Sequence, residues 1–300
     1  MPGIYVQKSG PRGDYMELTG WEGTAGTAVI PSHVRNLPVT KIASHAFDGR
    51  TDLRELRLPD SVTSIGVFCF YNCRSLKKIH MYDSVEDFFD GALRQCLSLE
   101  EITIEFREKD HYSIVKEILA DNDRMLTFHL VLPDGIQLRL TFPAYFDGFK
   151  EDTMARAIHH SINGSGFSYR ECVMRRSISL KEYDRLFARV IYDSYEASVR
   201  IALDRLMYPV ELAPVYAGNY ERYLVETADQ VLPYLIGRGD MERLLYLTEH
   251  KMIPRPVLED AIRLASEKDQ AETCAVLMEY QRKHFAAHAG TISFSLDDLW

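Results

Sequence analysis

Three hundred residues, 46% apolar and 26% charged, are enough chain for one large or two ordinary soluble domains with sizeable cores. The net charge is −9, with 11 Lys/Arg against 13 Asp/Glu in residues 1–104 and 24 against 31 in the remainder. No basic stripe is offered to phosphates, which argues against nucleic acid as a partner, and no apolar run approaches the length of a membrane span.

The opening Met1-Pro-Gly-Ile-Tyr-Val-Gln-Lys8 lacks the apolar stretch of a secretory leader. Five cysteines, Cys69, Cys73, Cys96, Cys172 and Cys274, are odd in number and unevenly spread, so reduced thiols are expected and a disulfide framework is not. A cytoplasmic location follows, or a secreted one if a leader has been removed.

Three stretches superpose at a constant offset, the interval that separates Ile42 from Ile65. Ile42, Ile65 and Phe88 share a column, as do Phe47, Phe70 and Leu93, and Leu53, Leu76 and Leu99. Leu56, Ile79 and Ile102 form a fourth column, and Leu58, Met81 and Ile104 a fifth. A period in the 20s with an L-x-x-L-x-L phrase marks a leucine-rich solenoid, in which stacked units share one apolar core. In each unit a short strand turns Leu56 and Leu58 inward, and Glu55 and Arg57 outward. Pro59 and Asp60 then end the strand, and Gly66 permits a sharp bend.

Three segments, Ile30 to Phe47, Leu58-Pro-Asp-Ser-Val-Thr-Ser-Ile-Gly66 and Phe70-Tyr-Asn-Cys-Arg-Ser-Leu76, resemble the BspA-type leucine-rich repeat. Met16-Glu-Leu-Thr-Gly-Trp21 resembles the strand that begins such arrays. The likeness covers about residues 15–104. It implies a right-handed, β-rich solenoid used for protein or surface binding, often in secreted bacterial proteins. The third unit departs from the pattern, with Phe89 in the Gly66 column. Phe89 either packs against a cap or fills a widened last coil.

Beyond the repeats, Tyr112–Ala120 reads as a short helix. Leu126–Leu132 and Ile136–Phe142 alternate around Pro133-Asp134-Gly135 as a hairpin. From Glu151 the periodicity turns helical. Ser179-Leu-Lys-Glu182 reads as a capping box for a helix to about Val190, and Asp193-Ser-Tyr-Glu196 opens another that Pro209 stops. Helix resumes over 216–236 and breaks at Gly237-Arg-Gly239. Gly239–Leu247 and Asp269–Leu277 resemble the second helix of ankyrin units, with Pro256 in the first turn of the helix between them. The tail Phe294–Trp300 folds back on the body or serves as a docking segment. The expected fold is therefore α+β: a leucine-rich-repeat solenoid (1–104), an α/β hairpin cap (105–150) and an all-α domain of helical hairpins (151–300), ankyrin-like at its end.

Such an architecture offers surfaces more than pockets. The expected function is a non-catalytic protein-interaction module whose protein partner the sequence does not name. One outward column is Glu55, Lys78, Glu101, and the next is Arg57, His80, Thr103; the first places Lys78 between two carboxylates. Tyr71, Phe89, Arg94 and the 164–172 loop with Tyr169 and Arg170 are candidates for a groove between solenoid and helices. Gly164-Ser-Gly-Phe-Ser-Tyr-Arg-Glu-Cys172 lacks the context of a phosphate cradle and reads as a turn. Two alternatives stay open: a cysteine-dependent hydrolase using Cys172 with His159 or His160, and a secreted or surface adhesin. Cys69, Cys73 and Cys96 read as interior rungs, and His111, His129, His284 and His288 as surface or satisfied histidines. No cofactor and no metal site is expected.

Overall fold

Strict alternation along short strands turns every second side chain inward, and parallel stacking gives those side chains a common interior. The computed structural model describes residues 2–23, 26–152 and 157–285, with the backbone path alone for 149–152 and 157–161. The chain divides into two compact units, Met1–Tyr216 and Ala217–Trp300.

The first unit opens with an antiparallel hairpin, β1 (Gly3–Gly10) and β2 (Gly13–Trp21), followed by β3 (Gly26–Val29), β4 (His33–Val34) and β5 (Leu37–Ile42). The coils continue through β6 (Leu53–Arg57), β7 (Ser64–Ile65), β8 (Lys78–Tyr82), β9 (Asp87–Phe88) and β10 (Glu101–Glu105). Two sheets result. One runs β1-β2-β5-β7-β9, with Leu18, Ile42, Ile65 and Phe88 in register. The other runs β3-β6-β8-β10 and stacks Ala28, Leu56, Ile79 and Ile102. All four of these side chains are buried, and they form the spine that the constant offset predicts.

The ladder does not stop at β10. After the helix α1 (Ser113–Asp121), β11 (Leu126–Val131) pairs in parallel with β10, placing Phe128 on Ile102. The step from Ile102 to Phe128 is longer than the step from Ile79 to Ile102, because α1 takes the place of the extended corner. β12 (Gln137–Phe142) then returns antiparallel through the expected Pro133-Asp134-Gly135 turn and closes this sheet. A second hairpin, β13 (Phe146–Asp152) with β14 (Ala157–Asn163), occupies the stretch from Glu151 where the sequence predicts helix.

Short helices α2 (Gly166–Arg170), α3 (Leu180–Arg185) and α4 (Phe187–Val190) lead to α5 (Tyr195–Met207), which packs on β12. The Ser179 side chain makes no cap bond, and Glu182 pairs with Arg185 in its place. Ser194 does cap α5, accepting the Ala197 N–H. This helix buries charge as well as its apolar stripe. Arg205 and Asp184 form a fully buried two-pronged ion pair at 2.7 and 3.0 Å that locks α3 to α5. Tyr183 donates its hydroxyl proton to the Thr141 carbonyl at 2.6 Å and accepts the Thr141 N–H at 2.9 Å, tying α3 to β12.

The division between units falls inside α6 (Pro214–Glu226). In the second unit α7 (Ala228–Arg238), α8 (Met241–Glu249), α9 (Arg255–Glu267) and α10 (Ala271–Phe285) form two stacked helical hairpins. Gly239 ends α7 in the left-handed conformation, and Asp240 caps α8 through the Arg243 N–H. Pro256 lies in the first turn of α9 as expected. The tail 294–300 and His288 lie outside the described residues.

Gly66 is required for a reason other than bending. A Cβ there would sit 2.4 Å from the Ser44 backbone nitrogen and 2.8 Å from the Ala43 carbonyl carbon, both on the preceding coil. The coils stack too closely for any side chain. Gly66→Ala is therefore expected to cost about 1–3 kcal/mol, the usual range for overpacking, read as a lowered urea midpoint. An unchanged midpoint would show that the coils can separate without loss.

Candidate functional site

Each coil turns at a corner, and N–H groups of one corner donate to carbonyls of the next. In the first column His45 donates to Val67 at 3.2 Å and Phe68 to Asp90 at 3.4 Å. In the second, Phe47 donates to Cys69 and Phe70 to Ala92, both at 2.9 Å. In the third, Gly49 donates to Tyr71 at 2.8 Å and Asn72 to Arg94 at 3.0 Å. The first column uses left-handed backbone at His45, Phe68 and Gly91, and the third at Gly49, Asn72 and Gln95. Glycine and asparagine reach that region at least cost, which accounts for Gly49, Asn72 and Gly91.

No further corner follows, and a side chain terminates the ladder. The Asp121 carboxylate, at the end of α1, accepts the Gly91 N–H at 2.7 Å and the Leu93 N–H at 2.9 Å. Its two oxygens stand where two carbonyls of another coil would be. Burial raises the Asp121 pKa despite both N–H bonds, which act in the opposite sense. The Gln95 N–H, next in the third column, meets no acceptor among the described residues.

Arg170 holds the end of α1 in place. Its guanidinium donates to the carbonyls of Asn122 at 3.0 Å, Arg124 at 2.7 Å, Pro143 at 2.5 Å, Gly166 at 3.0 Å and Leu119 at 3.3 Å. It lies 4.8 Å from the Tyr145 ring, and burial pushes its pKa down to about 10. A cleft of about 570 Å³ opens between the last corner and the segment after α1, lined by Asp90, Arg94, Gln95, Leu97, Asp123, Arg124 and Tyr145 among others.

A second surface is the outward side of the strand ladder. Glu55, Lys78 and Glu101 are in register across β6, β8 and β10, and Arg57, His80 and Thr103 occupy the next column. Lys78 pairs with Glu101 at 2.6 Å, while Glu55 turns to Arg57 at 2.8 Å, so Lys78 bridges one carboxylate and not two. His80 meets Glu105 at 2.8 Å and stands edge-on to Tyr82. At the far end α5 rises over the ladder. Arg200 reaches Glu100 at 3.6 Å, the buried Thr141 hydroxyl meets Asp204 at 3.2 Å, and the Tyr208 ring lies under Arg139 and tilted against His129. The face thus has a charged floor and a helical wall.

The sequence-derived candidates fall into three places. Glu55, Arg57, Lys78, His80 and Glu101 share the strand face. Tyr71, Phe89 and Arg94 lie on the corners, a different side of the coil. Phe89 keeps its place in the array, donating its N–H to the Ile65 carbonyl at 3.1 Å, but the residue is 46% exposed and lies at the surface. Tyr169 and Arg170 are interior, so they serve the scaffold and are not available at a surface. Gly166 explains their neighbourhood, since a Cβ there would sit 2.2 Å from the Pro143 carbonyl oxygen.

Cys172 is buried, and burial pushes its thiol up to about 12, away from the thiolate a nucleophile needs. The side chains of His159 and His160 lie outside the described residues. Cys73 and Cys96 are interior rungs, their thiols donating to the Phe47 and Phe70 carbonyls at 3.0 and 3.1 Å. Among the described residues no cluster has the makings of a metal site, and no helix is long and apolar enough to cross a membrane. Neither the role of Asp121 nor the coil through β11 is part of the sequence reading. The lengthened step between Ile102 and Phe128 is the signal that marks them.

The BspA type leucine rich repeat region matches residues 29–130 in six copies. No curated protein matches. Among solved structures, a leucine-rich repeat protein of T. pallidum is 22% identical over 33% of this chain and 68% of its own, with a TM-score of 0.24. One from Bacteroides ovatus is 24% identical over 33% of this chain and 30% of its own, with a TM-score of 0.29. A leucine rich cell surface protein of Faecalibacterium prausnitzii is 24% identical over 35% of this chain and 36% of its own, with a TM-score of 0.27. The chain thus spans about a third of the last two proteins.

Removing the Asp121 carboxylate tests the terminated ladder. Asp121→Ala leaves two N–H groups without their acceptor and is expected to cost about 1–3 kcal/mol in urea unfolding. A folded-state pKa raised above the unfolded value, about 3.9, contributes stability that is full below that value and is lost as pH rises through the folded one. The stability of the wild type relative to Asp121→Asn should therefore shrink as pH rises above about 3.9. Growth of that difference would mean that the N–H bonds outweigh burial.

Proposed function

We propose that the chain, with its BspA-type repeat region over residues 29–130, is a non-catalytic protein-interaction module that binds its partner on the strand face walled by α5. The observation that carries this is the pairing of a rigid apolar spine with outward columns of charged and aromatic side chains. The spine fixes strand positions, so Glu55, Lys78, His80 and Glu101 are presented at set spacings with little freedom left to lose. Exposed ion pairs of this kind add little stability, and their use is better sought in recognition, where charge sets register and partner choice.

Magnitude decides how much surface is involved. The five parallel strands, at about 4.8 Å spacing and about 16 Å long, give a floor of roughly 300 Å². A stable interface needs about 800 Å² per partner. The partner must therefore extend beyond the floor, onto the wall at Tyr208 or the flank carrying Tyr82 and Arg107. Tyr82 and Arg107 lie 5.3 Å apart in a cation–π contact beside Asp60, and offer an aromatic anchor of the kind that dominates binding energy.

Lys78→Glu turns the first column into three successive carboxylates without touching the spine. Recovery of co-purifying proteins from the native host, quantified by mass spectrometry, should fall by tenfold or more relative to wild type. An unchanged thermal midpoint would show that the fold persists. The same partner set at the same level would remove the strand face from the site.

We also place the protein in the cytoplasm, because all five cysteines carry free thiols, four of them buried. Fractionation of the native host should find it with soluble cytosolic markers. Recovery from the medium or the cell surface would favour the adhesin reading.

A further inference from the structure

We infer that the cleft between the last corner and the segment after α1 is a second binding site, one that takes the carboxylate end of a peptide. The ladder itself supplies the argument. The Gly49 and Asn72 N–H groups donate to the following coil, and Gln95, in the same column and the same left-handed conformation, aims its N–H at the place a following coil would fill. That place is the cleft. Asp121 shows on the neighbouring columns that a carboxylate is what this corner accepts in place of a coil, since both of its oxygens take corner N–H groups.

The lining is mixed in sign, with Arg94 and Arg124 set against the carboxylates of Asp90, Asp121 and Asp123, which suits a ligand that carries a basic group beside its terminal carboxylate. Arg94 and Arg124 line the cleft, and neither guanidinium forms an ion pair with a described residue, although Arg94 lies within the field of Asp121. Behind the wall, Arg170 is buried against carbonyls with no carboxylate hydrogen-bonded to it, and its charge is felt by Asp123 of the lining. Asp90 and Asp123, also without an ion pair among the described residues, suit a basic side chain upstream of the terminus, and Leu97 with Tyr145 an apolar one. A volume of about 570 Å³ exceeds what a lone carboxylate fills and lies within the range of ligand pockets, about 300–1,000 Å³.

The test uses the full chain and an N-terminally labelled hexapeptide, Gly-Gly-Lys-Gly-Leu-Ala, as free acid and as C-terminal amide. Fluorescence polarisation should show the amide binding at least tenfold more weakly, the usual consequence of losing a charged hydrogen-bonding group. Arg94→Gln and Arg124→Gln should each weaken the free acid by about tenfold. The Gln95 amide resonance should move with the acid and not with the amide. Lys78→Glu should leave the affinity unchanged, which separates this site from the strand face. Equal binding of the two peptides, no binding by either, or Arg variants that bind like wild type would overturn the proposal. Sodium acetate competing as well as the peptide would also overturn it, showing a site for a bare anion only.

Discussion

A stack of coils is stable in its middle and exposed at its ends, and one carboxylate closes two of the three corner columns here. Corner N–H groups throughout the array are satisfied by the next coil, so the last corner would be left with unpaired donors. Asp121 supplies two acceptors at once, and it does so from the end of a helix that has replaced the extended corner of the fourth coil. The substitution lets the chain leave the repeat while β11 stays in the ladder. Without it, the lengthened step between Ile102 and Phe128 would break the column of corner bonds with nothing to take its place.

Arg170 makes the arrangement rigid by a different route. A buried cation is costly, and here its guanidinium fans across five backbone carbonyls drawn from the end of α1, the end of β12 and the start of α2. The guanidinium thereby ties the boundaries of three elements to one another. The position of Asp121 therefore depends on Arg170, and the shape of the cleft depends on both. The buried Arg205–Asp184 pair plays a comparable part for α5, fixing the wall of the strand face to the helix before it. In each case a polar group placed in the interior specifies how one element sits on another, where apolar packing alone would allow several arrangements.

Much of this is readable along the chain. The columns Leu56-Ile79-Ile102 and Ile42-Ile65-Phe88 stack as the period requires, because a shared apolar core demands the same residue type at the same step. The hairpin at Pro133-Asp134-Gly135 and the helix start at Pro256 are legible because turn and cap chemistry is local. The start read at Asp193-Ser-Tyr-Glu196 moves to a cap at Ser194 because the Asp193 carboxylate accepts the Ser165 N–H. The capping box at Ser179 fails because Glu182 finds Arg185 nearer than the cap. The strand β14 is hidden because a short alternating run beside helical stretches carries little periodic signal. Among the candidate site residues, those on the ladder share one face, since alternation dictates which way they point. Tyr169 and Arg170 read as surface residues because their sequence neighbourhood, rich in glycine and serine, looks like a loop.

What the amino-acid order determined alone was the repeat, its inward spine and the outward columns, each a consequence of short-range periodicity. Tertiary structure decided the rest: that Gly66 is needed for close approach between coils, that Asp121 ends the corner ladder, and that Arg170 lies inside. Each of those depends on atoms brought together from distant positions, Gly66 with Ser44, Gly91 with Asp121, and Leu119 with Arg170. A carboxylate or guanidinium carries no mark of its future partners, so only the folded chain assigns them.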